Sequence, residues 1–279
     1  MQRIDQWLRW GRGQLETSSA TPALDAEVLI CHLLKVNRAY CFAHGDARMP
    51  EHAITHFRRQ IERRRQGVPV AYLTGECEFY GLSLRLNPSV LVPRPETELL
   101  VDRALELIPA QADWRIADLG TGSGAIALAI AHHRPNCRLI ATDVSPAALR
   151  LAGANARQLG LQQRIEWHQG DWTQALPGQF HLILSNPPYV DASDRHLQDD
   201  SLAHEPLTAL TPGENALSAL STIIQQTPKH LFNKGWLILE HGYDQGEAVQ
   251  QLMLLSGYQQ LETLRDVGGQ QRVTAGCRS

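Results

Sequence analysis

Through the first quarter of the chain, apolar residues recur at three- and four-residue steps. Trp7, Leu8, Gly11 and Leu15 share one helical face, and Leu24, Val28, Leu29 and the Leu33–Leu34 pair define another. Phe57 and Ile61 lie among Arg58-Arg59 and Arg63-Arg64-Arg65, which predicts a third, strongly basic helix. A small helical bundle up to about residue 72 follows. In Glu76-Cys77-Glu78-Phe79-Tyr80-Gly81-Leu82-Ser83-Leu84-Arg85-Leu86 the period shortens to two around a glycine, the pattern of a short hairpin. Pro93-Arg94-Pro95-Glu96-Thr97-Glu98 then opens a new helix, with proline near its start and acids where the helix dipole favours them.

From residue 113 short apolar runs alternate with helical stretches. The strand candidates are 115–119, 139–142, 165–167, 181–184 and 236–240; the helical stretches are 124–134, 146–159, 215–232 and 245–256. Strands separated by crossover helices form a parallel sheet with helices on both faces. Two further strand-like runs between Tyr258 and Arg278 have no helix between them, so the last pair is expected to be antiparallel. The fold class is therefore α/β: a doubly wound, mostly parallel seven-stranded sheet with an antiparallel last strand, preceded by a small helical domain and a hairpin linker.

Length is consistent with this division, since 279 residues are about two domains at roughly 150 residues each. The expected boundaries are a helical domain at 1–72, a hairpin linker at 73–95 and the sheet domain at 96–279. The formal net charge of −3 hides an asymmetry: residues 1–72 carry 11 Lys/Arg and 7 Asp/Glu, net +4, leaving the rest at net −7. An acidic sheet domain argues against a body that tracks a nucleic-acid backbone. Cys31, Cys41, Cys77, Cys137 and Cys277 are scattered, with no C-x-x-C pair, and read as reduced structural thiols with no metal role. The amino terminus lacks an apolar leader, and no run approaches the ~20 apolar residues needed to span a bilayer. A cytoplasmic protein with no membrane contact is expected.

Asp118-Leu119-Gly120-Thr121-Gly122-Ser123-Gly124 directly follows the first strand of the sheet and opens a helix. Glycines there let a ligand approach the backbone, and the helix start offers free N–H donors. Gly120-x-Gly122-x-x-Ala125 also satisfies the dinucleotide fingerprint, and Asp143, at the end of the next strand, is placed to hold ribose hydroxyls. These residues imply a ribose-bearing cofactor without saying which.

Ser185-Asn186-Pro187-Pro188-Tyr189 follows the fourth strand, on the edge where parallel sheets bind ligands. Two prolines stiffen the backbone and remove two N–H groups, so the turn presents acceptors without competing donors. The Asn186 side-chain oxygen and the Pro187 carbonyl can accept from one planar –NH2 group, with Tyr189 offering a ring face. That is a seat for an amide or exocyclic amine. Taken alone, the segment can also be read as a Pro-Pro turn with an asparagine cap, the weaker of the two readings.

Together these residues resemble an S-adenosylmethionine-dependent methyltransferase of amino groups. Leu91-Val92-Pro93-Arg94-Pro95-Glu96-Thr97-Glu98, the glycine loop, Asn186-Pro187-Pro188-Tyr189, Glu205-Pro206 and Leu239-Glu240-His241-Gly242 recur in this order in the peptide chain release factor glutamine methyltransferases, the HemK/PrmC family. The resemblance covers essentially the whole chain. It implies methylation of the glutamine side-chain amide in the Gly-Gly-Gln motif of peptide chain release factors, with S-adenosyl-L-methionine as cofactor and no metal. It also implies that Gly120, Thr121, Gly122, Ser123 and Gly124 wrap the methionine part of the cofactor, Asp143 takes the ribose, and Asp171 and Trp172 flank the adenine. Asn186 with Pro187, Pro188 and Tyr189 would hold the glutamine amide, Asn186 also reaching the cofactor. Ser123 stands where threonine is common, and His204 where an aromatic residue is usual. The protein is expected to act as a monomer, without sequence-specific nucleic-acid binding.

Two readings compete most closely: a methyltransferase for a ribosomal-protein glutamine, and one for the adenine amino group of a nucleic acid. The Pro95-Glu96-Thr97-Glu98 run favours release factors over the first. The acidic sheet domain, with no inserted recognition segment, counts against the second. A nicotinamide dehydrogenase leaves Asn-Pro-Pro-Tyr unexplained, and a binding module without catalysis leaves an intact Asn186 without purpose. His52 and His56 have helical i, i+4 spacing, but Ala53 replaces the glutamate of the zinc-protease pattern. Arg94, Glu96, Glu98 and Glu240 either order the pocket or satisfy local backbone. The arginine run at 58–65 reads as a solvated helix face or as a dock for an acidic partner. Gly268-Gly269-Gln270 copies the implied substrate tripeptide, but between two strands it is a turn.

Overall fold

The structure, a computed structural model, describes residues 2–194, 197 and 202–279. It divides into two compact units, one comprising residues 2–76 with 202–204 and the other the remaining described residues.

The first unit is helical: α1 (Ile4–Leu15), α2 (Pro22–Leu34), α3 (Arg38–Ala43), α4 (Glu51–Arg65) and α5 (Val70–Thr74). Ile4, Trp7 and Leu15 from α1, Leu29 and Ile30 from α2, and Phe57 and Ile61 from α4 form its core. Gly11 is required by this packing, because a Cβ there would sit 2.7 Å from the Phe57 ring. The buried face of α2 is turned from the expected one: Leu24 is exposed, while Asp25 is buried. The cause is the Arg64 guanidinium, whose Nε donates to Asp25 at 2.7 Å, with the Ser19 and Thr21 hydroxyls donating to the same carboxylate. The arginine run is therefore not uniformly solvated. Arg58, Arg59, Arg63 and Arg65 are exposed, but Arg64 is drawn inward to neutralise a buried acid.

The second unit opens at Cys77, within the hairpin of β1 (Glu76–Phe79) and β2 (Leu82–Arg85), which is followed by a 3₁₀ turn at Pro95–Thr97 that leads into α6 (Glu98–Leu107). Phe79, Leu82 and Leu84 are buried in the core of the sheet, so the hairpin is packed structure. The sheet runs through β3 (Arg115–Leu119), β4 (Arg138–Asp143), β5 (Ile165–Gln169), β6 (Phe180–Ser185), β7 (Leu231–Glu240), β8 (Tyr258–Arg265) and β9 (Gln271–Arg278). Between them lie α7 (Ala125–His133), α8 (Pro146–Gln158), α9 (Leu207–Leu210), α10 (Ser218–Gln226) and α11 (Gly246–Leu255). The helix expected over 215–232 stops at Gln226; a 3₁₀ turn covers Thr227–His230, and Leu231 already belongs to β7. Pro228 in that turn lacks the N–H an α-helix would need.

The strand order is β5-β4-β3-β6-β7-β9-β8, parallel except for β9, which runs antiparallel to both neighbours. This is the mostly parallel sheet with an antiparallel last strand expected from the alternation of strand and helix. The chain leaves β3 outward through β4 and β5, then returns to add β6 on the other side of β3. Ligands bind at such a reversal, beyond the carboxyl ends of the strands. Leu119 of β3 is in register with Ser185 of β6, and the Ser185 hydroxyl donates to the Leu119 carbonyl at 2.7 Å. The glycine loop and the Asn-Pro-Pro-Tyr loop therefore leave the sheet side by side.

Candidate active site

The loop after β3 takes its shape largely from its own residues. Gly120, Gly122 and Gly124 have φ of +69°, +57° and +84°, a left-handed backbone that costs an L-residue roughly 1–2 kcal/mol. A Cβ on Gly122 would meet nothing within 4 Å, so that position needs glycine for its conformation; Gly124 also needs it for space, since a Cβ would press on Ala152, Leu128 and Trp167. Two carboxylates staple the loop. Asp118, fully buried, accepts from the Thr121 hydroxyl at 2.6 Å, and burial pushes its pKa up to about 7. Asp143 accepts from the Gly122 N–H at 2.9 Å and the Ser145 N–H at 2.8 Å; its pKa is raised by burial, against those two hydrogen bonds.

A cavity of about 350 Å³ opens above these groups. Gly120, Thr121, Gly122, Ser123, Asp143, Asp171, Trp172, Asn186 and Pro188 all border it. Gly124, which caps α7, Pro187 and Tyr189 are not among the residues that line it. Trp172 adopts φ +46° and lies over the glycine loop, so that a Cβ on Gly120 would be 3.3 Å from its ring. The lining combines a carboxylate at a strand end, the backbone of a helix start with no side-chain cap, an indole, and the apolar Ile126, Val144 and Ala148. That donor set fits a ligand with vicinal hydroxyls, a flat ring and a charged tail, as S-adenosylmethionine has.

Several residues at the cavity carried no clear sequence signal. Pro88, Ser89 and Val90 form part of one wall, and Thr208 and Ala209, within the short α9, form part of another beside Pro206 of the Glu205-Pro206 pair. Glu205 ties these walls together: its buried carboxylate accepts from the Val92 N–H at 3.0 Å and from Arg94 at 2.5 Å. Arg94 thus serves the pocket's frame. Glu98 instead satisfies the Tyr80 N–H, a backbone role. Thr97, buried in the 3₁₀ turn, accepts from Asn186 Nδ2 at 3.2 Å; its place within the Pro-Glu-Thr-Glu run was the only signal for it.

Tyr189 donates its hydroxyl to Glu240 Oε1 at 3.0 Å, and its carbonyl accepts from Gln245 Nε2 at 3.0 Å. Glu240 ends β7, deep in the sheet, and burial pushes its pKa up to about 7 while the hydroxyls of Thr97 and Tyr189 pull it down. The Gly-Gly-Gln tripeptide lies in the β8–β9 turn, with Asp266 and Gln270 paired through the backbone at 2.8 Å and Gly269 at φ +79°. No helix among the described residues is long and apolar enough to cross a membrane.

Residues 6–75 match the family profile of the PrmC N-terminal domain, and residues 96–213 that of the methyltransferase small domain. The chain is 45% identical over 271 residues to the release factor glutamine methyltransferase of Escherichia coli K12, covering 97% of each chain. It is likewise 45% identical over 266 residues to that of Coxiella burnetii, covering 95% of each. Among solved structures, a 16S rRNA N2 G1207 methyltransferase of T. thermophilus in complex with AdoMet and guanosine superposes with a TM-score of 0.55 at 15% identity. That match covers 73% of this chain and 50% of the other, and it bears on the fold alone.

Proposed function

The chain belongs to the release factor glutamine methyltransferases, and from that membership we propose that it methylates the side-chain amide nitrogen of the glutamine in the Gly-Gly-Gln motif of peptide chain release factors, using S-adenosyl-L-methionine. The observation that carries this reading is the shared cavity: Asn186 opens onto the same space as Gly122 and Asp143, because Ser185 and Leu119 are in register on adjacent strands.

In this reading Gly120, Thr121, Gly122 and Ser123 surround the methionine part of the cofactor, with Gly124 turning the chain into α7 beneath them, Asp143 accepts from the ribose hydroxyls, and Asp171 with Trp172 borders the adenine. When bound, the cofactor supplies an electrophilic methyl group on a sulfonium. The glutamine nitrogen is a poor nucleophile, since its lone pair is delocalised into the carbonyl, so alignment carries much of the rate. Asn186 Oδ1 and the Pro187 carbonyl accept its two N–H groups, which fixes the plane of the amide and leaves electron density on nitrogen. Pro188 and Tyr189 brace that turn. The proton lost on methylation passes to water. Positive charge is dispersed rather than created, so no metal is required.

The helical residues 1–72, net +4, are the surface for the protein substrate, joined through 73–95 to the catalytic domain at 96–279. The protein acts as a monomer in the cytoplasm, where release factors work. The test is transfer of labelled methyl groups from S-adenosylmethionine to a purified release factor and to its Gln→Ala variant in the Gly-Gly-Gln motif. Label on the first alone is expected. Equal label on both, or label only on RNA or DNA, rejects the assignment.

A further inference from the structure

Tyr189, at the far end of the Asn-Pro-Pro-Tyr turn, is held twice by the chain that leaves β7. Its hydroxyl donates to Oε1 of Glu240, the last residue of that strand, at 3.0 Å, and its carbonyl accepts from Gln245 Nε2 at 3.0 Å. Gln245 stands directly before α11, where Ser, Thr, Asp or Asn usually caps a helix with its side chain, yet its amide makes no cap bond. The amide turns back instead, and its Oε1 accepts from the Gly242 N–H at 2.9 Å. A Cβ on Gly242 would lie 3.1 Å from that amide, so a glycine there leaves it room. The Val190 N–H, on the same peptide plane as the Tyr189 carbonyl, donates to the Leu210 carbonyl at 3.0 Å.

We infer that Gln245 is a positioning residue for methyl transfer: its amide fixes the Tyr189 carbonyl and, through the proline turn, the Pro187 carbonyl and Asn186 that receive the substrate –NH2. A carboxamide has one acceptor end and one donor end. The Gly242 N–H occupies the acceptor end of Gln245, so the –NH2 end faces Tyr189, where a carbonyl can accept it. Two hydrogen bonds on opposite edges, to Gln245 and to Leu210, set the tilt of the peptide plane after Tyr189; one alone leaves a pivot. The prolines carry that tilt back to the site. Asn186 and Pro187 each precede a proline, which confines both to extended backbone, and Pro187 and Pro188 have fixed φ. The turn therefore moves as one piece, anchored at one end where Ser185 is tied to Leu119 and at the other by Tyr189. Gln245 is not among the residues that line the cavity, so it acts through the turn and not on the substrate. The inference rests on the assignment of Asn186 and Pro187 to the substrate amide.

The test is steady-state kinetics of the full-length enzyme on a purified release factor, with rates expressed per S-adenosylmethionine-binding site counted by titration. Gln245→Glu keeps the shape and the bond to Gly242 but sets a carboxylate oxygen against the Tyr189 carbonyl; Gln245→Met keeps the length and loses both bonds. Each is expected to lower kcat about tenfold, the scale of one well-placed hydrogen bond, with cofactor affinity and KM for the release factor unchanged. Gln250→Met is the control: this amide lies on the same helix but donates to Thr263 Oγ1 on β8 at 2.7 Å, and kcat is retained. A role confined to stability lowers the melting temperature and the number of binding sites and leaves the rate per site intact. That result in the Gln245 variants, or an equal loss of kcat in Gln250→Met, overturns the inference, and the function stands as long as Asn186→Ala is crippled. If one Gln245 variant does not fold, the other decides. Wild-type kcat in Asn186→Ala overturns the functional assignment itself.

Discussion

Two loops leave neighbouring strands of the same sheet at the same level, yet they are held by opposite means. The loop from Gly120 to Gly124 is specified mainly by near neighbours in the chain: three left-handed glycines, Thr121 bonded to Asp118, and Asp143 on the next strand. The loop from Asn186 to Tyr189 has a stiff backbone of its own, but its side chains are oriented from far away. Asn186 depends on Thr97, 89 residues earlier, and Tyr189 on Glu240, 51 residues later. A site for a common cofactor can be built locally, because backbone N–H groups and one carboxylate suffice. Discriminating an amide –NH2 from other groups requires a side chain of fixed polarity, and that takes partners from several elements.

Substitutions in the two loops should therefore fail differently. The largest effect is expected for Asn186→Ala: kcat falls by ~10²-fold or more, while binding of S-adenosylmethionine changes little, since the lost group aligns the nucleophile. A titration placing the whole defect in cofactor affinity would move Asn186 to the cofactor side. Gly122→Ala should show the reverse pattern. Its Cβ meets no atom, so the cost is the left-handed backbone alone, roughly 1–2 kcal/mol, seen as about 5- to 30-fold weaker cofactor binding with kcat at saturation nearly preserved.

A third expectation separates the loops by pH. Glu240 has its pKa raised by burial to about 7, and its carboxylate accepts from the hydroxyl of Tyr189, which closes the Asn-Pro-Pro-Tyr loop. Protonation below that value weakens that acceptor, so kcat is expected to fall as pH drops through about 7 and to level off at lower pH. Cofactor affinity should not follow that limb, and Glu240→Gln, which does not titrate, should abolish it; a limb surviving in that variant assigns it to another group. The smallest effect is expected outside both loops. Gln270 sits in an exposed hairpin turn, and Gln270→Ala should leave turnover and any labelling of the enzyme itself unchanged. Loss of self-labelling in that variant would mean the turn opens to present its glutamine as a substrate.

Legibility followed the same division. The parallel sheet, its antiparallel last strand and the glycine loop are written in short-range features: apolar runs of strand length, crossovers of helix length, and glycines where no other residue fits. The errors arose where a distant partner decides. Asp25 looks like a solvated position on an amphipathic helix until Arg64 covers it. Leu231 looks like the end of a helix until pairing with Phe180 of β6 draws it into β7. Glu205 and Glu240 both stood out in the sequence without a role, because a carboxylate's function depends on what surrounds it. One proves to clamp Val92 and Arg94, and the other accepts from the Tyr189 hydroxyl.

By itself, the sequence determined the fold class, the edge of the sheet at which ligands bind and the residue types offered there, since periodicity, turn chemistry and strand-end position are properties of neighbouring residues. The tertiary structure alone decided that Thr97 lies against Asn186, that Glu205 frames the cavity and that Tyr189 reaches Glu240 at the end of β7. The physical reason is that a hydrogen bond has direction. Which way an amide or hydroxyl points is settled by its partners in space, and here those partners are brought together only when β3, β6 and β7 align and the Pro95–Thr97 turn packs against their ends.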